Sequence, residues 1–252
     1  MYEFNERVRY SETDEHEQAT ILSVVNYLQD CSTFHSTEVG LTVDYLREMK
    51  RAWLLSYWDI YIERMPKLCE RLTIGTCPHA FRGVLAHRNF WIKDEARAYI
   101  LRADSLWFCY DTERMRPAKI TEDMLTPFGE MRDVLELPAS ERKIMEPDEL
   151  TEAAPILVQP HHIDSNHHVN NAQYIAIADE VLTEAAGGQE RLPGRRDQTV
   201  IRILVHEHGE LIADRLPRRH LLLRKQYRCA LTVCEIHTEV LLTRDLQCLD
   251  LS

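Results

Sequence analysis

From Thr20 to Thr37 the apolar residues Ile21, Val24, Val25, Leu28, Cys31 and Phe34 return at steps of three and four, the spacing that gathers side chains on one face of an α-helix. Gly40 follows as a stop signal, because glycine readily takes the left-handed conformation that ends helices. The spacing predicts a helix of about four or five turns. Behind it the period changes. Trp53 to Ile62, Leu72 to Cys77, Val84 to Lys93 and Tyr99 to Tyr110 have strand composition and are separated by Met65-Pro66, Pro78 and Lys93-Asp94-Glu95. They read as about four antiparallel strands.

The same order then recurs. An apolar stretch from Ala172 to Ala185 ends at Gly187-Gly188 and is followed by strand-like Thr199 to His206 and by Leu/Val-rich runs after Leu216. Laid over each other, Tyr10-Ser-Glu-Thr-Asp14 and the stretch ending His161-His162-Ile163-Asp164 put an acid just before each helix, 150 positions apart. Residue identity between the halves is weak, so the order of elements carries the repeat. Between them, Glu130 to Glu152 holds eight acids, three bases, Pro138 and Pro147, the composition of a linker crossing the surface. The organisation expected is an N-terminal half at 1–130, a linker at 131–155 and a C-terminal half at 156–252. A helix packed on an antiparallel sheet, twice, is an α+β arrangement.

Composition bounds the function. With 252 residues, 44% apolar and 28% charged, the chain can bury a substantial core, which excludes a disordered polymer. A formal charge of −11 lacks the basic footprint of nucleic-acid binding. The eight glycines form no nucleotide-cradling loop, which needs them at fixed spacing. Seven scattered cysteines without a C-x-x-C pair suggest neither a disulfide framework nor a zinc knuckle, and fit a reducing compartment. The start of the chain is polar, and no run approaches the roughly 20 apolar residues of a membrane span. The expectation is a soluble cytoplasmic protein.

The densest set of polar groups is His161-His162-Ile163-Asp164-Ser165-Asn166-His167-His168-Val169-Asn170-Asn171, just before the second helix. Three readings compete. The segment could be a solvated loop whose Asn and Asp cap the helix. His161, His162, His167, His168 and Asp164, with His206 and His208, could hold zinc, though the doubled histidines point apart if extended and no H-E-x-x-H pattern supports it. Third, Asp164, Asn166 and His168 alternate along an extended segment and so project to one side. The helix that follows offers backbone N–H groups near Asn170 and Asn171, where a carbonyl oxygen could take up negative charge. No G-x-S-x-G elbow is present, so water would be the attacking group.

The segment His161 to Tyr174 (H-H-I-D-S-N-H-H-V-N-N-A-Q-Y) resembles the D-x-N-x-H-V-N-N signature of acyl-acyl carrier protein thioesterases. Tyr10 to Asp14, Asn26 to Ser36, Arg64 to Glu70, Arg88-Asn-Phe90, Asp111-Thr112 and Arg116-Pro117 resemble the bacterial members. The resemblance covers roughly residues 8 to 207. It implies a tandem hot-dog fold, a long helix wrapped by an antiparallel sheet, twice, and hydrolysis of fatty acyl thioesters without a cofactor or metal. It matches Asp164, Asn166 and His168 to the family's catalytic Asp, Asn and His, and a fourth acidic position to Glu207, with His208 one residue away as the alternative. A cysteine beside that acid, known from older descriptions of plant members, is missing, since none lies between Cys109 and Cys229. The final 40 residues depart from the family pattern.

All four tryptophans and all six phenylalanines fall before residue 130. They make either a larger aromatic core or, as the resemblance implies, an apolar tunnel for the acyl chain with Trp53 and Trp91 as substrate-binding residues. Arg191 to Arg228 carries ten Lys/Arg against four Asp/Glu. That stretch is either a solvated strand face or a patch that steers an acidic acyl carrier protein. Acyl-coenzyme A hydrolysis and silent acyl binding are the rival functions, and a homodimer is one assembly the chain could form.

Overall fold

The computed structural model describes residues 1–129, 135–137, 158–165, 169–185, 199–205, 211–216, 219–226, 230–236 and 239–245. Two compact units divide the chain, Met1–Ala139 and Ser140–Ser252. The acidic linker expected at 131–155 lies outside the described residues apart from 135–137.

The first unit runs β1 (Tyr2–Arg7), α1 (Ile21–Glu38), α2 (Val43–Glu48), β2 (Arg51–Ile62), β3 (Arg71–Arg82), β4 (Leu85–Lys93), β5 (Tyr99–Asp111), β6 (Arg116–Pro117) and α3 (Glu122–Leu125). Its sheet is antiparallel in the order β1-β3-β4-β5-β2, with the short β6 on β5. The long helix follows the predicted period. Thr20 caps it by accepting from the Ser23 N–H at 3.2 Å. At the other end Leu41 N–H reaches Ser36 O at 2.8 Å and Gly40 N–H reaches Thr37 O at 3.0 Å, with Gly40 at φ 86°. That paired closure needs a left-handed residue, which explains the glycine.

The helix departs from the pattern at one position. Phe34 is 44% exposed and its ring stands edge-on to Phe4 of β1, while His35 is buried at 5%. His35, four residues after Cys31, continues the inward stripe, so a polar side chain occupies the place expected of an apolar one. Its Nδ1 lies 3.2 Å from Nη1 of Arg88. Burial, reinforced by the Arg88 charge, pushes the imidazole down to about 3, so the neutral ring accepts from the guanidinium.

This has a consequence for stability. The unfolded chain binds a proton here near pH 6.5 and the folded chain only near 3, so stability falls as pH drops through that window. Denaturant unfolding should show about 2 kcal/mol less stability from this group at pH 5 than at pH 7. His35→Gln, which keeps an acceptor for Arg88, should lose that increment. Equal pH profiles for the two proteins would refute the assignment.

The register sorts the strand residues by face. Arg88 and Phe90 of β4 lie opposite Ser105 and Ala103 of β5; Arg88 meets His35, so this face looks toward α1. His87, Asn89, Trp91 and Lys93 occupy the other face. Pro78, expected to separate strands, lies inside β3. A register shift falls between Pro78 and Ala80, and β1 ends opposite Thr76. A bulge on a stretch with one open edge is where a strand accepts proline.

The second unit runs α4 (Asn171–Ala185), β7 (Thr199–Val205), β8 (Leu211–Leu216), β9 (Arg219–Gln226), β10 (Ala230–Ile236) and β11 (Glu239–Asp245). Its strands pair as antiparallel neighbours in chain order, and α4 lies against β9 and β11. Each unit is thus one principal helix with its own antiparallel sheet. Among the described residues no helix is long and apolar enough to cross a membrane.

Candidate active site

The approach to α4 is built by backbone hydrogen bonds. A 3-10 turn at Pro160–His162 is closed by His162 N–H to Gln159 O at 2.9 Å and Ile163 N–H to Pro160 O at 3.2 Å. An isolated bridge joins Ile163 to Val169, pinching off the segment that begins with Asp164. Asn170 then sends its N–H to His162 O at 2.9 Å and takes the Ala172 N–H on its side-chain oxygen at 2.8 Å. Its carbonyl accepts from Gln173 N–H at 2.9 Å. Asn170 is therefore a helix cap, a role worth about 1 kcal/mol. Its own N–H and those of Ala172 and Gln173 are engaged within the turn, so the oxyanion donors placed near Asn170 and Asn171 are in large part already used.

The N-terminal half repeats this construction 150 positions earlier. A 3-10 turn spans Tyr10–Glu12, a bridge joins Thr13 to Ala19, and Thr20 N–H reaches Glu12 O at 2.9 Å before α1 begins. The recurrence read from the order of elements thus extends to individual hydrogen bonds. In this copy Asp14, the counterpart of Asp164, accepts from the backbone N–H groups of His16 at 2.8 Å and Gln18 at 3.1 Å. The two copies differ in side chains: Asp-Glu-His-Glu-Gln in the first, Asp-Ser-Asn-His-His in the second. The D-x-N-x-H pattern belongs to the second copy alone.

Asp164 is half-buried. Nearby, Tyr174 is 5% exposed, and its phenol is pushed up first by burial and then by the negative charge of Asp164. Tyr174, which closes the signature stretch, is the buried neighbour of the carboxylate. Of the other residues read as catalytic, Asn166, His168, Glu207 and the alternative His208 lie outside the described residues, as do His167 and His206 of the zinc reading.

The two tryptophans separate. Trp53 of β2 lies opposite Cys109 and packs on a buried cluster of Ala86, Cys109, Ile120 and Met124, on the face that looks toward α1. Trp91 lies on the opposite face, where its Nε1–H donates to Glu3 at 2.7 Å. It therefore does not sit between the helix and sheet of this unit. Strand alternation decides the face, and Phe90 takes the inward position that an aromatic count alone gives to Trp91. A cavity of about 430 Å³ beside α1 includes Arg9, Glu12, Asn26 and Tyr27 in its wall. That polar wall does not suit a fatty chain.

The two helix-and-sheet units define a tandem hot-dog protein. Solved structures share the fold: a putative oleoyl thioesterase from Lactobacillus plantarum, with TM-score 0.70, 21% identity and coverage of 95% of this chain and 92% of that one. An acyl-ACP thioesterase from Bacteroides thetaiotaomicron gives TM-score 0.61, 18% identity and coverage of 87% and 93%. The family described as acyl-ACP thioesterase N-terminal domain matches residues 1–128, and the chain belongs to the acyl-ACP thioesterase family. Among curated relatives, the chloroplastic oleoyl-acyl carrier protein thioesterase of Coriandrum sativum is 26% identical over 69% of this chain and 53% of its own length. The dodecanoyl-[acyl-carrier-protein] hydrolase of Cinnamomum camphora is 24% identical over 67% and 47%. The chain spans about half the length of these curated relatives.

Proposed function

We propose that the chain hydrolyses the thioester of fatty acyl-acyl carrier protein and releases the free fatty acid, in the cytoplasm. The observation that carries this reading is the Asp164 turn ahead of α4, which holds the D-x-N-x-H pattern in a chain whose first half matches the acyl-ACP thioesterase family. Water oxygen adds to the thioester carbonyl carbon, the carbon–sulfur bond breaks, and the sulfur leaves as the carrier's thiol. His168 or Glu207 takes the water's proton, Asn166 donates to the carbonyl or the water, and Asp164 fixes the group that positions the water. Asn170 shapes the helix end, and the positive pole of α4 beside Asn171 favours the developing oxyanion. No covalent intermediate is needed, and protein groups and water balance the reaction.

In this reading the acyl chain lies on the inward face of the N-terminal sheet against Trp53, and the basic stretch from Arg191 to Arg228 attracts the acidic carrier protein. The test compares carrier-bound and coenzyme A-bound thioesters of the same acyl group. The expected result is kcat/KM at least about tenfold higher on the carrier, a difference of about 1.4 kcal/mol in transition-state binding. Preference for coenzyme A would transfer the function to acyl-CoA hydrolysis, and hydrolysis of neither would leave a silent acyl-binding module.

A further inference from the structure

The outer face of the N-terminal sheet, away from α1, carries a polar cluster that the proposed hydrolysis does not use. His79 comes from β3, His87 from β4 and Asp104 from β5, and one ligand atom of each lies within 4.8 Å of the others. His79 Nε2 is 2.9 Å from Asp104 Oδ1, and His87 Nδ1 is 3.6 Å from Asp104 Oδ2. Sequence spacing hides the group, because the three residues sit on three strands and meet only through the register.

Two irregularities in the sheet aim side chains at this point. The register shift between Pro78 and Ala80 makes His79 the extra residue of β3. A second shift, between Leu55 and Tyr57 of β2, precedes the tyrosine whose hydroxyl donates to Asp104 Oδ2 at 3.2 Å. Bulges re-aim side chains in this way next to sites. Asn89 completes the support, its Nδ2 donating to Asp104 Oδ1 at 3.0 Å. Burial pushes the Asp104 carboxyl up, but hydrogen bonds and charge from His79 and His87 outweigh it and hold it below its usual range. Asp59, 1% exposed, stands directly opposite Asp104 across β2 and β5. Like charges placed directly opposite each other on a sheet are destabilising unless offset.

We infer that His79, His87 and Asp104 form a zinc site that clamps β3, β4 and β5 on the outer face of the first unit. Two imidazoles and a carboxylate are a common zinc set, with nitrogen and oxygen about 2.0–2.2 Å from the metal. Tetrahedral geometry spaces ligand atoms by about 3.4 Å; His79 and His87 lie 2.9 and 3.6 Å from the two Asp104 oxygens, and one ligand atom from each residue falls within 4.8 Å of the others, so the ion would draw the three side chains together on binding. Tyr57 and Asn89 supply the outer hydrogen bonds that orient a ligating carboxylate. The three side chains are 20%, 25% and 19% exposed, which gives the ion an entry path and leaves the fourth position to water.

The test is calorimetric titration of zinc into the chelator-treated full chain, with thermal unfolding measured with and without the ion. One zinc per chain, a Kd of about 1 μM or tighter and a raised Tm are expected. His87→Ala and Asp104→Asn should each weaken binding at least roughly tenfold, whereas His161→Ala with His162→Ala should leave it unchanged. If Asp104→Asn does not fold, His87→Ala decides alone. Absence of saturable binding, wild-type affinity in His87→Ala, or loss of binding in the His161/His162 variant would each overturn the assignment.

Discussion

Replacing His168 with alanine is expected to cut turnover on acyl-acyl carrier protein by roughly a hundredfold or more, because general-base assistance is commonly worth about 10²–10⁴ in rate. Far-ultraviolet circular dichroism and acyl-chain binding should match the wild type, since in the proposed hydrolysis the loss is of a reacting group. Asp164→Ala should lose turnover comparably, with a second effect that His168→Ala lacks. In the N-terminal copy the equivalent Asp14 holds two backbone N–H groups of its own turn. Steady-state kinetics on a carrier-bound thioester make the comparison, and near-normal hydrolysis by both variants would remove this turn as the site of chemistry.

The second large effect lies far from that turn. Gly75 of β3 stands between Glu3 and Trp91 in the register, and a Cβ placed on it would clash with Cε2, Nε1 and Cζ2 of the Trp91 indole. The ring has little room to yield, because its Nε1–H is held by Glu3 at 2.7 Å and Lys93 Nζ lies 5.4 Å from its centroid. Gly75→Val should therefore destabilise the protein by about 3 kcal/mol or more, at the upper end of overpacking costs. In a Trp91→Ala background the same substitution should cost less than about 1 kcal/mol, the signature of two residues sharing one space. Urea unfolding of the four proteins measures the coupling, and an equal cost in both backgrounds would place the strain elsewhere.

Much of the architecture was legible because it rests on period. Helix α1 and strands β2, β4 and β5 announce themselves through three-and-four spacing and strand composition, and the two halves through the recurrence of that order. What escaped has physical reasons. β1 alternates Tyr2 and Phe4 toward α1 with Glu3 and Asn5 away from it, so its polar half reads as a hydrophilic start of the chain. α2 has six residues, too few to express a period, and the Thr42 side chain accepting from Tyr45 N–H at 3.1 Å caps its start. Pro78 was read as a break because composition does not show where a sheet has an open edge. For the site, the motif located Asp164 and the helix it precedes. The capping role of Asn170 and the outward face of Trp91 depend on hydrogen-bond direction and strand register, which residue types alone do not encode.

The matched turns ahead of α1 and α4 bear on how such a molecule can change over generations. Both copies carry a 3-10 turn, a closing bridge and the same hydrogen-bonded corner from which the helix starts. At the positions equivalent to Asn166 and His168 the first copy carries His16 and Gln18. A doubled scaffold of this kind can silence one reactive centre, or awaken another, by exchanging two side chains while the chain path stays as it was.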